Sequence, residues 1–383
     1  MRAAGSISRA EIARRAGLST STVSTLVAGL QAEGLIVERE VDAAPRPPEG
    51  GRPPVLLALD RSVGALVGVD FAHGHLRVAV SDLSYGMLAE TALQLNIDTA
   101  AHEALDAAAR LVGELLDDAA VPVSHVVAAG MGLPGPIDEN GRIQSQAILA
   151  GWVGLDPATE MQRRLGVPVY LDNDANVGAL GESRFGAGRG KKVMAYLRLS
   201  EGIGAGLVID ARLFRGASGV AGELGHVLVN PEGAVCRCGN RGCLETLVAG
   251  PALCELLRRS HGELTVAELL TLAVEGDVGC RRVIQDAGRV VGRATADLCN
   301  YLNPDAVIVG GELAAAGDLL LAPMREAVRR FAIPAAAEVV EIVPGVLGER
   351  AEVLGALALA GHESQDPIAV RPTLSNTTRR RSA

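Results

Sequence analysis

Apolar residues near the N-terminus follow the spacing of two short helices joined by a tight turn. The first helix is predicted to begin at Arg9 and to end near Ala16, and Gly17 permits the left-handed backbone of the turn. Ser19 can accept a hydrogen bond at the start of the second helix. Three side chains are predicted to face inward between the helices: Ala13, Val23 and Leu26. This spacing is typical of a helix-turn-helix.

The pattern after the second helix predicts two short strands. Residues 35–39 and 55–59 are strand-like, and the proline- and glycine-rich segment between them carries Arg46 and Arg52. Two strands around an arginine-bearing loop are the wing of a winged helix-turn-helix. We therefore expect residues 1–60 to form a DNA-binding domain of that type.

From residue 64 onward, short apolar runs alternate with longer amphipathic stretches. Strands are predicted at 64–70, 76–82, 125–131, 167–171, 193–199, 205–209 and 305–309. Helices are predicted at 101–119, 155–166, 176–184, 247–260, 265–274, 278–302, 318–331 and about 349–361. Such alternation indicates an α/β architecture. Residues 362–383 lose the periodicity and are predicted to be a disordered tail.

Composition limits the class of protein. Of 383 residues, 48% are hydrophobic and only 2% aromatic, which describes a globular protein of two or three domains. No apolar run approaches the ~20 residues of a membrane helix, and the first residues lack the apolar core of a signal peptide. We therefore expect a cytoplasmic protein with no membrane partner.

The charge distribution restricts how the chain can meet DNA. The net charge of −9 argues against a general nucleic-acid coat. Residues 1–32 hold four arginines against Glu11 alone, a local charge of +3, yet the whole segment 1–60 is neutral. Any DNA contact must therefore come from one oriented face.

One histidine and three closely spaced cysteines predict a metal site. The ligands would be His226, Cys236, Cys238 and Cys243, with glycines between the cysteines that let the backbone fold round an ion. One imidazole and three thiolates suit a tetrahedral structural zinc ion. The alternative is three buried thiols beside an unrelated histidine.

Around this site the sequence resembles the signature of the ROK family, which contains repressors and sugar kinases. The matching segments are 222–226 (GELGH), 236–245 (CRCGNRGCLE), 132–136 (GLPGP), 172–176 (DNDAN), 202–206 (GIGAG) and 309–311 (VGG). The resemblance implies a two-lobed, actin-like ATPase fold with a sugar in the cleft between the lobes. It places lobe one at residues 61–180 plus 347–361 and lobe two, with the zinc motif, at 181–346.

The resemblance also implies which residues contact a monosaccharide or small oligosaccharide. They are Gly135, in the loop under the sugar, and Asn173, Asp174, Glu223, His226 and Glu245. Carboxylates and amides form paired hydrogen bonds with neighbouring hydroxyls, and such a site rejects analogues that lack them. His226 would bind zinc with one ring nitrogen and sugar with the other, and zinc would hold the loop of Glu245 against the cleft.

Two departures from the kinases of the family argue against phosphoryl transfer, which depends on positioning and neutralising the triphosphate. Where the kinases have an Asp-x-Gly-Gly-Thr loop, residues 70–74 read Asp-Phe-Ala-His-Gly, and Glu201 places a carboxylate at the second phosphate loop. Asp174 would be a vestigial general base. We therefore expect that the chain is not an enzyme. The alternative is a working sugar kinase with an accessory helix-turn-helix.

The expected partner of the N-terminal domain is operator DNA. The second helix would present a hydroxyl-rich face, formed by Ser19, Thr20, Ser21, Thr22, Ser24 and Thr25, to base edges. Arginines would bind phosphates or a minor groove: Arg9, Arg14, Arg15 and Arg52. A homodimer or homotetramer bound to an inverted repeat is expected, because a single helix-turn-helix domain offers little area for contact with DNA.

A third interpretation is a sugar sensor that does not bind DNA. Regulators of the family carry a further helix before the helix-turn-helix, but only about eight residues precede Arg9 here. Either the true start lies upstream or the DNA-binding domain is incomplete.

Overall fold

The computed structural model describes residues 6–39, 55–138, 141–143 and 148–364. The N-terminal domain contains strand β1 (Ser6–Ser8), helices α1 (Arg9–Ala16) and α2 (Thr20–Ala32), and strands β2 (Ile36–Arg39) and β3 (Leu56–Leu59). The strands form an antiparallel sheet in the order β1-β3-β2. The helix-turn-helix is confirmed, whereas Arg46 and Arg52 of the predicted wing lie outside the described residues.

The turn between the helices forms as its residues predict, but one core residue was assigned wrongly. Gly17 has a φ of 65°, and the Ser19 hydroxyl accepts a hydrogen bond from the Thr22 amide. Leu26 is 54% exposed, and Val27 is buried in its place. A helix has 3.6 residues per turn, so the residues three and four positions after Val23 both lie near its side of α2, and here the residue four positions on is the buried one.

The first sheet of the larger domain has five strands. They are β4 (Ala65–Ala72), β5 (His75–Asp82), β6 (Met87–Gln94), β7 (Val126–Leu133) and β8 (Val169–Asn173), in the order β6-β5-β4-β7-β8. Strands β5 and β6 are antiparallel to their neighbours, and β4, β7 and β8 are parallel. Helices α3 (Ala101–Asp118) and α4 (Pro157–Leu165) cover it, and α5 (Asp174–Phe185) follows β8.

The second sheet repeats the same order. Its strands are β9 (Val193–Leu199), β10 (Ile203–Ile209), β11 (Arg212–Leu213), β12 (Ala306–Gly310) and β13 (Glu341–Pro344), in the order β11-β10-β9-β12-β13. The accompanying helices are α6 (Glu245–Val248), α7 (Gly250–His261), α8 (Val266–Glu275), α9 (Val278–Leu302), α10 (Asp318–Phe331) and α11 (Pro334–Val339). Two sheets of identical order match the expected two-lobed architecture.

Helices α5 and α12 (Ala351–Glu363) lie between the lobes. Helix α12 packs on α5 and on strands of the first sheet, while α5 packs against strands of both sheets. Small residues permit this close crossing: a Cβ added at Gly355 would lie 1.6 Å from the Val177 carbonyl oxygen. Helix α12 extends two residues into the predicted tail, where Glu363 pairs with Arg215; residues 365–383 lie outside the described residues.

None of the helices described is both long enough and apolar enough to cross a membrane.

Candidate functional site: a polar cleft beside a cysteine cluster

A cleft opens between the two sheets, at the carboxyl ends of parallel strands β4, β7 and β8. This is where α/β folds present their ligand sites. Its empty space, including the open mouth, is about 640 Å³. The structure brings together in its walls all six residues assigned to sugar: Gly135, Asn173, Asp174, Glu223, His226 and Glu245.

The start of α5 forms the lobe-one wall. The Asn173 side chain accepts a hydrogen bond from the Ala175 amide at 2.8 Å and donates one to the Gly135 carbonyl, also at 2.8 Å. This side chain therefore caps the helix and fixes the loop opposite. Gly135 needs its small size, because its φ of 92° is in the left-handed region. Asp174, the first residue of α5, is buried at the floor of the cleft.

The lobe-two wall carries two carboxylates in different electrostatic settings. Glu245 receives two hydrogen bonds from the Arg237 guanidinium, at 2.9 and 2.6 Å. Burial alone would raise the pKa of Glu245, but Arg237 outweighs it and lowers that pKa. For Glu223, burial and the charges of Asp174 and Glu245 raise the pKa to about 7. The cleft thus offers both an acceptor and a carboxyl that can also donate.

Two arginines of the cleft were missed by the sequence analysis. Arg237 lies between two cysteines of the metal motif and reaches Glu245 from that loop. Arg198 lies in β9, where a charged residue within an otherwise apolar strand was an available signal. Its guanidinium approaches Asp174 at 3.3 Å and Glu352 of α12 at 3.2 Å.

The predicted zinc ligands converge beside the cleft. The ligand atoms of His226, Cys236, Cys238 and Cys243 all lie within 4.8 Å of one another. The sulfurs of Cys238 and Cys243 are 3.7 Å apart, and tetrahedral zinc with bonds of about 2.3 Å places its sulfurs roughly 3.8 Å apart. The donor set and spacing therefore fit zinc.

The orientation of His226 agrees with a shared role. Its Nδ1 atom lies 3.5 Å from the Cys236 sulfur, on the metal side. Its Nε2 atom lies 3.6 Å from the Glu223 carboxylate, on the cleft side. One ring nitrogen is thus directed to the cluster and the other to the cleft.

Comparison with known proteins identifies the family. The model of the ROK family matches residues 66–363, and the model of the MarR family matches residues 1–46. The chain belongs to the ROK family. The xylose repressor of Caldicellulosiruptor bescii is 31% identical over 367 residues, covering 92% of this chain and 91% of that protein.

Solved structures resemble the ROK chain over different lengths. A ROK family transcriptional regulator, a homologue of the E. coli MLC protein, has a TM-score of 0.76 at 25% identity and covers 94% of this chain and 93% of its own. A ROK glucokinase from Streptomyces griseus, solved with glucose and AMPPNP, has a TM-score of 0.67 at 30% identity, covering 78% and 100%. The expected helix-turn-helix followed by an actin-like ROK domain is confirmed.

The turn after β4 contributes a histidine to the cleft. His73 lines the cleft, and its Nδ1 atom lies 2.7 Å from Asp98. Asp70 is buried with its Oδ2 atom 3.5 Å from His75, whose pKa that contact raises. The turn after β4 therefore brings the imidazole of His73 to the cleft.

The predicted DNA-contact residues of α2 and its cap are exposed to solvent. They are the six hydroxyl residues Ser19, Thr20, Ser21, Thr22, Ser24 and Thr25. Arg14 and Arg15 both pair with Glu11, and Arg9 pairs with Glu38 at 2.7 Å. A phosphate contact by these arginines stays a prediction, and it requires exchanging these carboxylate partners for DNA.

Proposed function

We propose that this ROK chain is a sugar-responsive DNA-binding transcriptional regulator, a repressor of genes for carbohydrate uptake or catabolism, acting in the cytoplasm. The observation that carries the proposal is the joining, in one chain, of a helix-turn-helix to a cleft walled by amide and carboxylate side chains. A relative named xylose repressor aligns with 92% of this chain, a length that includes both parts. The effector is a monosaccharide or small oligosaccharide, and the DNA partner is an operator.

The cleft chemistry supports an uncharged polyhydroxyl ligand. Asn173 and Glu223 provide donors and acceptors on opposite walls, and Asp174 lies on the floor between them. Vicinal hydroxyls can satisfy several such groups together, whereas an apolar ligand would leave buried carboxylates unpaired. Sugar binding would draw the walls of the cleft together and alter the spacing between the paired DNA-binding domains of the oligomer.

A structural zinc ion would brace this wall. His226, Cys236, Cys238 and Cys243 would hold it, and the same loop carries Arg237, which fixes Glu245. Zinc would supply folding energy and fix the tautomer of His226.

The loss of kinase activity is also part of the proposal. Catalysis of phosphoryl transfer needs a close backbone cradle and cations round the phosphates. Here His73 projects into the cleft, and Glu201 adds a carboxylate at the second loop. Asp174, in the place of the kinases' general base, forms an ion pair with Arg198 at 3.3 Å.

We further propose that the regulator is a homodimer or homotetramer on an inverted repeat. A groove on lobe two, between the loop after Glu223 and helices α9 and α10, borders the sugar cleft. It exposes Leu228, Tyr301 and Phe331, and arginines and acids surround these apolar side chains. Sedimentation equilibrium should return two or four times the chain mass of 39.5 kDa.

The test of the function is a ligand panel on the zinc-loaded protein. Thermal shift with monosaccharides, disaccharides and ATP should give a sugar response without an ATP response. A coupled ADP-release assay on the same sugars tests the kinase alternative, which the glucokinase similarity keeps open. Turnover with a responding sugar would make the chain a kinase, and absence of any sugar response would remove the proposed effector.

A further inference from the structure

Arg198 lies in strand β9 and lines the cleft, where its side chain reaches α5 and α12. It belongs to β9, whose neighbouring positions Leu197 and Leu199 are fully buried, and its own side chain is only 14% exposed. One guanidinium nitrogen lies 3.3 Å from an Asp174 carboxylate oxygen, and another lies 3.2 Å from Glu352. A single side chain thus joins lobe two to the first residue of α5 and to the start of α12.

Several carboxylates converge on this guanidinium. Asp174 and Glu352 contact it directly, and Asp70 is near enough for its charge to raise the pKa of Arg198. Burial works against that rise, and the neighbouring carboxylates outweigh it. One oxygen of Asp70 is buried and finds no hydrogen-bond partner among the described residues. Buried carboxylates need a cation close by, and Arg198 provides one within the chain.

Glu352, the second carboxylate that Arg198 contacts, is itself held by neighbouring residues. Glu352 also accepts a hydrogen bond from the Tyr196 hydroxyl at 3.1 Å. The Tyr196 ring is held between Gly178 of α5 and Gly310 of β12, since a Cβ at either glycine would lie within 2.5 Å of it. Arg198 therefore extends from a strand of the sheet, donates a hydrogen bond to Glu352, and forms an ion pair with Asp174 through another guanidinium nitrogen.

We propose that Arg198 is a positioning residue for the effector, which holds the Asp174 carboxylate in the orientation that accepts hydrogen bonds from sugar hydroxyls. This inference rests on the proposed function, because it concerns the same cleft. Without Arg198, Asp174 would face Asp70 and Glu352 with their charges uncompensated, and repulsion would turn it from the cleft. The guanidinium acts through Asp174 rather than through a contact of its own with sugar.

A double-mutant cycle tests this route of action. Full-length, zinc-loaded wild type, Arg198→Met, Asp174→Asn and the double variant are titrated calorimetrically with D-xylose and with D-glucose. Arg198→Met should weaken sugar binding at least tenfold, and so should Asp174→Asn. The sugar affinity of the double variant should lie within about twofold of that of the single variant that binds more weakly, because both changes remove the same interaction.

Three controls separate positioning from a general loss of structure. Arg198→Lys keeps the charge but not both contacts, and it should restore sugar binding partly. Arg282→Met breaks an exposed pair on α9 and should leave sugar affinity unchanged. Zinc content and operator affinity without sugar should match wild type in every variant.

The outcomes distinguish this inference from the function on which it rests. Wild-type affinity in Arg198→Met, or additive losses in the double variant, overturns the positioning role while leaving the sugar sensor intact. A lower unfolding temperature with unchanged sugar affinity also overturns it, since the role would then be structural. Failure of wild type to bind either sugar or any other sugar of the panel overturns the effector and the inference together.

Discussion

Replacing Gly355 by alanine should destabilise the protein and weaken sugar binding together. The added Cβ would lie 1.6 Å from the Val177 carbonyl oxygen, whereas real Cβ atoms essentially never come nearer than 3.0 Å. Helices α5 and α12 must therefore separate by about 1.4 Å at this crossing. Overpacking of this kind costs ~1–3 kcal/mol, and contact with backbone rather than a flexible side chain favours the upper end.

The sugar effect follows because α5 begins at Asp174. Moving the helix shifts that carboxylate relative to Arg198 and to a bound sugar. Losing one charged hydrogen bond to the sugar would cost ~1.5–3 kcal/mol, which is tenfold or more in affinity. Urea unfolding followed by circular dichroism measures the first effect, and calorimetric titration with the responding sugar measures the second.

Gly113 provides the matched control for this change. It lies in α3, where an added Cβ would meet nothing within 4 Å, so Gly113→Ala should stabilise the protein by ~0.5–1 kcal/mol. If Gly355→Ala unfolds at the same urea concentration as wild type, or behaves like Gly113→Ala, the described crossing of α5 and α12 is wrong.

Three further predictions concern the metal loop, the buried cluster and the reader helices. Replacing Cys236 and Cys238 by serine should eject zinc and lower sugar affinity, and a metal analysis that finds no zinc in the native protein would refute the site. Burial raises the pKa of Glu352 to about 7, so wild type loses stability as pH rises from about 4.5 to 7. Glu352→Gln has no such group, so its free energy of unfolding relative to that of wild type should rise by at most about 3 kcal/mol between these pH values. A difference in urea midpoint between the two proteins that does not change with pH would contradict this prediction. Glu11→Gln should tighten operator binding about threefold at low salt by freeing the two arginines it pairs with in α1, and unchanged gel-shift affinity would place them away from phosphates.

Most of the site followed from local sequence because its ligands occur in short motifs. The metal loop holds three of its four ligands within eight residues, and Asn173 and Asp174 are adjacent at a strand-to-helix junction. Motifs of this kind carry their own geometry, so both sets meet in the structure as expected. The strands that are buried on both faces of their sheet could also be predicted from the sequence, since they are continuous apolar runs.

The missed features depend on distant parts of the chain. Strand β6 is an edge strand whose half-buried residues lack clean alternation, and β11 and β13 are short edges, so their pairing is decided by the neighbouring strand. Arg198 pairs with Glu352, which is 154 residues away in sequence. Leu26 shows a different limit, because adjacent apolar residues leave the phase of a short helix open, and packing in the small core with Ala13, Ile36 and Leu57 selects Val27.

The most direct test of the account measures operator affinity with and without sugar in wild type and in Glu223→Ala. The DNA is the promoter region of the protein's own gene, and the sugar is the one that gives the largest thermal shift. Saturating sugar should weaken wild-type binding at least tenfold, while the variant binds the operator normally and does not respond. A variant that responds to sugar as wild type does would contradict the assignment of the cleft, and a wild type that binds no operator would contradict the regulator.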